Sequence, residues 1–381
     1  MTYFDIAWCL LIIKDYLRIA DYINIPDRVD DILAIVIFGI FCISIISKKY
    51  NKKELFIYIF LGLCALYTGL VTGYMLITTT VLSVIAVKDE DLQKIAKNTF
   101  RLQIFLLLFN TAFSCVVSLL GYGTLWGYTE DGTRFRIHLG YGMAGHLADC
   151  ILNLICIWIY TQKRTITRRQ CAILISIATA TFLITDSRTV FLLMIFVIMG
   201  TRFVGRGNGD EIIRSVTKII VPGCTMIMLV SIYLYSIGNK IGYLFDRFMN
   251  SRVRLCGYNL ERYGITMFGK YRTNEPGVGM LNLKWYSDGM TYDNTYMWMI
   301  INMGIIWIVI LTICMIEAAH RCAERECILL IAFALGAMLD TSFINCACCF
   351  SILLVGQAIK NNDAETNEQM ITDKMQKEIT N

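Results

Sequence analysis

Long apolar runs follow one another along almost the whole chain, at 4–20, 31–47, 54–69, 70–87, 102–121, 140–160, 171–186, 189–204, 218–237, 293–316, 327–341 and 345–359. They are continuous runs and not amphipathic stripes, and a helix that is apolar all round is buried in protein or in lipid. About twelve such segments, each near the ~20 residues needed to cross a bilayer, predict an all-α polytopic integral membrane protein. Composition agrees: 56% of residues are hydrophobic and 17% charged, against roughly 25% charged in an average soluble domain. Two pairs of runs are ambiguous, because 54–87 and 327–359 each fit either a tight hairpin or one long tilted helix. Gly69 and Gly73 argue for a turn in the first pair, and Asp340 to Asn345 for one in the second.

Orientation follows from where the positive charge falls. Lys48, Lys49, Lys52 and Lys53 follow the second run, and Lys88, Lys94 and Lys97 the fourth. Lys163, Arg164, Arg168 and Arg169 follow the sixth; Arg202, Arg206, Arg214 and Lys218 surround the eighth-to-ninth junction; Arg321 and Arg325 follow the tenth. With every span real, all of these share one side, and that side is expected to be the cytoplasm. The expected organisation is nine spans within 1–237, a large extracytoplasmic loop at 238–292, three spans within 293–359 and a solvated cytoplasmic tail at 360–381. Met1 to Ala20 lacks a basic leader and a clear small-residue cleavage site, so the first span is expected to stay. The location expected is the cytoplasmic membrane, with lipid as the surrounding partner.

On that topology the loop 238–292 breaks a rule. It carries Arg247, Arg252, Arg254, Arg262, Arg272, Lys240, Lys270 and Lys284 on the outer side, where arginine is normally sparse. Such a loop suggests that something anionic is handled there. In Arg252-Val253-Arg254 the two guanidinium groups would point the same way in an extended chain and would splay in a helix. Each is a planar fork suited to phosphate, and a solvated basic loop against lipid headgroups is the plainer reading. Arg134-Phe135-Arg136-Ile137-His138 repeats the alternation ahead of the sixth run, with a headgroup-contacting flank as its plainer reading. His138 is a candidate proton acceptor.

Three further features sit at the expected outer side. Arg188, in Asp186-Ser187-Arg188-Thr189, either snorkels and pairs with Asp186 or points into a cavity and binds an anion. Ser187 and Thr189 add hydroxyl donors at a helix N-terminus, itself an anion site. His146, inside the sixth run, is an intramembrane ionisable group and so a functional candidate. Asp293, in Asp293-Asn294-Thr295-Tyr296, fits a helix N-cap, and equally a general base or sugar-hydroxyl ligand facing the arginines; Asp288 lies just upstream.

The 15 cysteines lie mostly in apolar runs, where free cysteine behaves as a small hydrophobe. Cys346, Cys348 and Cys349 have no matching Cys/His set, so no metal site is expected. There is no P-loop, HExxH or GxSxG, no cofactor is implied, and nothing supports nucleic-acid binding.

Taken in order, several short motifs resemble the Wzy-type polysaccharide repeat-unit polymerases, of the O-antigen polymerase and ligase superfamily. They are Arg136-Ile137-His138-Leu139-Gly140-Tyr141-Gly142, then Ser187-Arg188-Thr189, then Arg252 followed by Tyr263-Gly264-Ile265-Thr266-Met267-Phe268-Gly269, and finally Asp293-Asn294-Thr295-Tyr296. The family often continues Gly-His-Pro-Asn where this chain has Gly142-Met143-Ala144-Gly145. His146 lies three residues beyond Met143, on nearly the same helical face, and is expected to cover part of that slot. The resemblance implies a GT-C-like membrane glycosyltransferase without a metal. Its donor would be a polyprenyl-diphosphate-linked oligosaccharide, and its product a capsular, O-antigen or exopolysaccharide chain made at the outer face. Arg188, Arg252, Arg254, Arg136 and Arg134 would bind the diphosphate. Asp293, His146 and His138 are the catalytic candidates, and Ser187, Thr189, Asn294 and Tyr296 the substrate contacts. Flippase and chain-length regulator proteins would be partners. A ligase moving the glycan to another acceptor shares this chemistry. A lipid-linked glycan transporter would instead place charge deep in several helices on both sides of the midplane.

Overall fold

The computed structural model describes residues 2–23, 25–73, 75–122, 125–128, 135–162, 164–204, 209–270, 293–341, 343 and 349–359, with the backbone alone at Asp27 and Ile359. Arg134, Arg272, Lys284, Asp288, Cys346, Cys348 and the tail 360–381 lie outside the described residues. The helices are α1 Tyr3–Ile19, α2 Asp27–Ile46, α3 Lys52–Thr72, α4 Leu76–Ala86, α5 Leu92–Leu119, α6 Ala144–Thr161, α7 Arg168–Thr185, α8 Arg188–Phe203 and α9 Gly209–Ser236. They continue as α10 Lys240–Phe248, α11 Arg252–Tyr263, α12 Thr295–Trp298, a π-turn Met299–Met303, α13 Ile306–Arg321, α14 Glu324–Ala337 and α15 Ile352–Ile359. A two-stranded antiparallel ribbon, β1 Trp126–Tyr128 with β2 Phe135–Ile137, is the one sheet among the described residues.

Among the described residues five helices, α2, α3, α5, α6 and α9, are long and apolar enough to cross a membrane. The other apolar runs also form helices, most of them shorter, such as the 16 residues of α8 and the 14 of α14. The outer surfaces of the long helices are apolar: Ile35, Phe56, Leu63, Leu70 and Leu119 are all exposed. Apolar surface of that extent fits helices that face lipid. Thr2, Asn51 and Thr167 cap α1, α3 and α7, and Asp5, Glu54 and Gln170 bond back to complete each capping box.

Both ambiguous pairs are two helices. Left-handed Gly73 ends α3 before α4 begins. α14 ends at Ala337 and α15 begins at Ile352, with the turn 338–341 between them. The run 293–316 is not one smooth span. Gly304 N donates to Met299 O at 2.8 Å, five residues back, and the chain breaks there before α13. The break frees donors at the start of α13, and an incoming loop satisfies them: Ile305 N donates to Thr266 O at 2.9 Å and Ile306 N to Met267 O at 3.3 Å. That loop lies directly on the π-turn. A Cβ on Gly269, whose φ is 84°, would fall 2.3 Å from Asn302 O and 2.5 Å from Thr72 Cγ2. The glycine closing Tyr263-Gly264-Ile265-Thr266-Met267-Phe268-Gly269 is therefore required by close packing.

Polar contacts sort the loops into two ends. One end is closed by buried ion pairs: Lys88 Nζ lies 2.6 Å from Glu54 Oε2, with side chains 5% and 6% exposed, and Lys48 Nζ lies 2.9 Å from Glu90 Oε1. Lys88 also sits 4.4 Å over the Tyr50 ring. Gln93 donates to Tyr160 O, Gln357 to Glu90 O, Arg325 to the Gln162 carbonyl, and Arg214 to Ala319 O and Glu324. At the opposite end the α1–α2 connection pairs with the approach to α6, through Asp21 N to Gly140 O at 2.9 Å and Gly142 N to Ile19 O at 3.0 Å. Between the two ends α6 is the most enclosed of the five long helices, with 72% of its apolar window buried. Asn153 on α6 donates to Gln103 Oε1 at 3.1 Å and accepts from Phe350 N at 2.9 Å, so its amide is satisfied inside the bundle.

Candidate functional site

Arg252 and Arg254 are positioned by a helical elbow. α10 ends at Phe248, Asn250 and Ser251 take left-handed conformations, and α11 begins at Arg252. Ser251 stands at the N-cap but makes no side-chain cap bond. Asp246 on α10 does so instead, accepting from Arg254 N at 2.8 Å, while its own carbonyl accepts from Ser251 N at 2.8 Å. A carboxylate there satisfies an orphan donor and complements the helix dipole. Asp246→Ala is expected to cost about 1 kcal/mol at this helix end. Amide exchange across 252–256 should then speed up by roughly fivefold, which hydrogen-exchange mass spectrometry would read.

Because 252–254 is helical, Arg252 and Arg254 splay. Arg254 is exposed. Arg252 turns inward, its side chain 15% exposed, with Nε 3.8 Å from Asp293 Oδ2. That Nε is buried and has no hydrogen-bond partner among the described residues. Cys256, one turn further along α11, is buried beside Arg252, Asp293 and Asp246; burial first, and then the Asp293 carboxylate, push its thiol up, so it is inert at neutral pH.

Asp293 adopts φ 40° and its side chain is 44% exposed. The N-cap it fitted belongs to its neighbour: Asn294 Oδ1 accepts from Met297 N at 2.9 Å, and Asn294 Nδ2 donates to Met338 O at 2.7 Å. Thr295 Oγ1 donates to Asp340 O at 2.6 Å, and the fully buried Tyr296 donates its hydroxyl to Ala334 O at 2.6 Å. Asn294 and Tyr296 thus spend their polar groups tying α12 to the C-terminal end of α14. Capping by Asn294 leaves the Asp293 carboxylate for Arg252.

His146 lies in the first turn of α6, partly buried. Its Nε2 is buried without a hydrogen-bond partner among the described residues, and Asp340 is near enough to act on it electrostatically. Asp340 belongs to the segment that Thr295 holds, so contacts lead from Arg252 through Asp293–Thr295 to Asp340, whose charge acts on His146. The remaining candidates lie apart from those contacts. Arg188 is 68% exposed and its ion-pair partner is Asp186, at 3.8 Å. Ser187 and Thr189 are partly buried, and Ser187 makes no side-chain cap bond. Arg136 is partly buried on β2, opposite Gly127. His138 follows it, its backbone N bonded to Leu125 O at 3.0 Å and its Nδ1 buried with no hydrogen-bond partner among the described residues. In the same motif, Gly140 at φ 81° has no room for a Cβ, which would fall 2.2 Å from Ser114 Cβ.

Sequence reasoning missed buried charge in the bundle. Asp149 on α6 is 4% exposed. It lines a small cavity with Asn153, Phe333, Phe343 and Ser351, with room for about one water. On α1, Lys14 pairs with Asp30 at 2.8 Å, and Asp15 is buried beside it. The available signal was spacing: His146, Asp149 and Asn153 recur at i, i+3 and i+7 within an apolar run, which puts them on one helical face. Asp246 carried no such signal.

No protein-family model, no curated protein and no solved structure matches this chain.

Proposed function

We propose that this chain is a membrane glycosyltransferase that joins polyprenyl-diphosphate-linked oligosaccharide repeat units at the outer face of the cytoplasmic membrane. The observation that carries the reading is Arg252, enclosed against Asp293 at the bundle end opposite the lysine- and arginine-rich connections. Positive residues favour the cytoplasmic side, so the Lys48–Lys88 end is cytoplasmic, the Arg252 end is outside, and the apolar runs make about twelve passes.

The chemistry needs a charge to receive the leaving group and a base for the acceptor proton. The acceptor hydroxyl attacks the anomeric carbon of the lipid-linked donor; a new carbon–oxygen bond forms as the bond to the diphosphate oxygen breaks. Negative charge grows on polyprenyl diphosphate, and a guanidinium fixed beforehand stabilises it. Arg252 is that group. Guanidinium charge neutralises the diphosphate, so the reading calls for no metal. The acceptor proton passes to a carboxylate or an imidazole: Asp293 faces Arg252, and His146 lies next to Asp340.

Purified protein given a lipid-linked repeat unit should produce a ladder of longer lipid-linked products. A single transfer onto a different acceptor would instead identify a ligase, which the same residues serve. Translocation of the lipid in vesicles without any product would overturn the enzyme reading. His146→Ala should lower the rate of ladder growth by about 10²-fold if the imidazole takes the acceptor proton; unchanged polymer length and yield would remove it from the site.

A further inference from the structure

We infer that α10 is an interfacial helix seated in the outer leaflet of the bilayer that the bundle spans, and that lipid covers its apolar face. The inference rests on the membrane-protein reading and not on the glycosyl-transfer reading.

Three faces divide the helix. Gly242 and Asp246 are buried against the body of the protein, Gly242 against the backbone of Tyr235 on α9 and Asp246 against the start of α11. Ile241, Leu244 and Phe248, spaced i, i+3 and i+7, form one apolar face, and all three are strongly exposed, Leu244 at 70%. Lys240, Tyr243 and Arg247 make the third face and are outside the core. A short helix with an apolar face, a basic flank and an aromatic beside them has the pattern of one lying in the headgroup–acyl boundary.

The occupant is identified by continuity. On α9, Met226, Val230, Tyr233 and Ile237 recur at i, i+4, i+7 and i+11 and are all exposed, forming one stripe along a helix long and apolar enough to span. That stripe runs up to the elbow at Gly238–Asn239, where α10 begins. Lipid that solvates Tyr233 and Ile237 meets Ile241 and Leu244 next. The flanking Lys240 and Arg247 match the phosphate groups at that depth. They are part of the positive charge that looked out of place in an outer loop.

Seating α10 has a consequence for α11. Asp246 joins the two helices through the Arg254 amide and the Ser251 amide, so the depth of α10 sets the depth of Arg252. Arg252 is thereby held beside the headgroup layer, where a lipid-borne diphosphate would lie.

The test is photo-crosslinking of the full chain in phosphatidylethanolamine–phosphatidylglycerol vesicles. Leu244→p-benzoylphenylalanine and Phe248→p-benzoylphenylalanine are made separately, with Met226→p-benzoylphenylalanine as the lipid-facing reference on α9. Irradiation should add one phospholipid mass to the peptide carrying residue 244 or 248, in yield comparable to that at 226. Crosslinks from 244 and 248 to this chain or to a second copy, or no adduct there while 226 labels, would overturn the proposal. Absence of label at 226 would also overturn it, since α9 would then not face lipid. No glycan takes part, so the outcome is independent of whether the protein polymerises anything.

Discussion

Arg252→Ala should abolish ladder formation while leaving insertion and expression intact. One preorganised charged donor aimed at developing negative charge contributes about 10²–10³ in rate, and here the guanidinium is mostly enclosed, where its contacts are screened less than at a surface. Arg252→Lys should recover little, because an ammonium lacks the fork that contacts two phosphate oxygens at once. Arg254→Ala is the internal control: Arg254 is exposed on the other side of α11, so its loss should cost far less. Asp293→Asn separates two roles for the carboxylate. If Asp293 only orients Arg252, the pH profile of the rate should keep its shape while the rate falls. If it takes the acceptor proton, the acidic limb of the profile should disappear. Full activity in Arg252→Ala would remove this arginine from the site and with it the main support for the proposed reaction.

Lys88→Met should be strongly destabilising at the opposite end. Lys88 and Glu54 are both about 5% exposed and 2.6 Å apart. Removing one partner leaves a buried charge uncompensated, at about 3–5 kcal/mol. Glu54 has a second task, since it completes the capping box that starts α3 with Asn51. Glu54→Ala therefore loses the ion pair and the cap together. Combining Lys88→Met with Glu54→Gln should recover much of the loss, because neither charge is then stranded and the glutamine keeps the cap bond. Thermal unfolding in detergent would measure all three. If Lys88→Met unfolded like the parent, the pair would not be buried in solution as it is in the structure.

The helices were legible from the chain because their cause is local. The transfer of an apolar run out of water depends on what the run contains, so α1 to α4, α6 to α8 and α14 lie within a few residues of the apolar runs, whereas α5 and α9 begin about ten residues earlier and α13 begins only after the break at Gly304. Gly73 was a readable turn for the same reason. Reading failed where a neighbour from elsewhere took part. The interruption at Gly304 is met by carbonyls of Thr266 and Met267, which arrive from the segment after α11. Asp293 looked like a cap, but Asn294 reaches both Met297 N and Met338 O and took that place. Asp149 and Asn153 passed as ordinary members of an apolar run until α14 and the segment around Phe350 closed over them.

By itself the sequence determined that this chain is a helical membrane protein, which runs become helices, and which arginines interrupt the apolar pattern. Only the tertiary structure decided that Arg252 turns inward while Arg254 turns out, that Asp293 faces Arg252, and that the Asp340 charge acts on His146. The physical reason is range. Apolarity and helix spacing are sums over neighbours in the chain, whereas an ion pair between α11 and the start of α12 exists only after packing has brought two distant segments to one place.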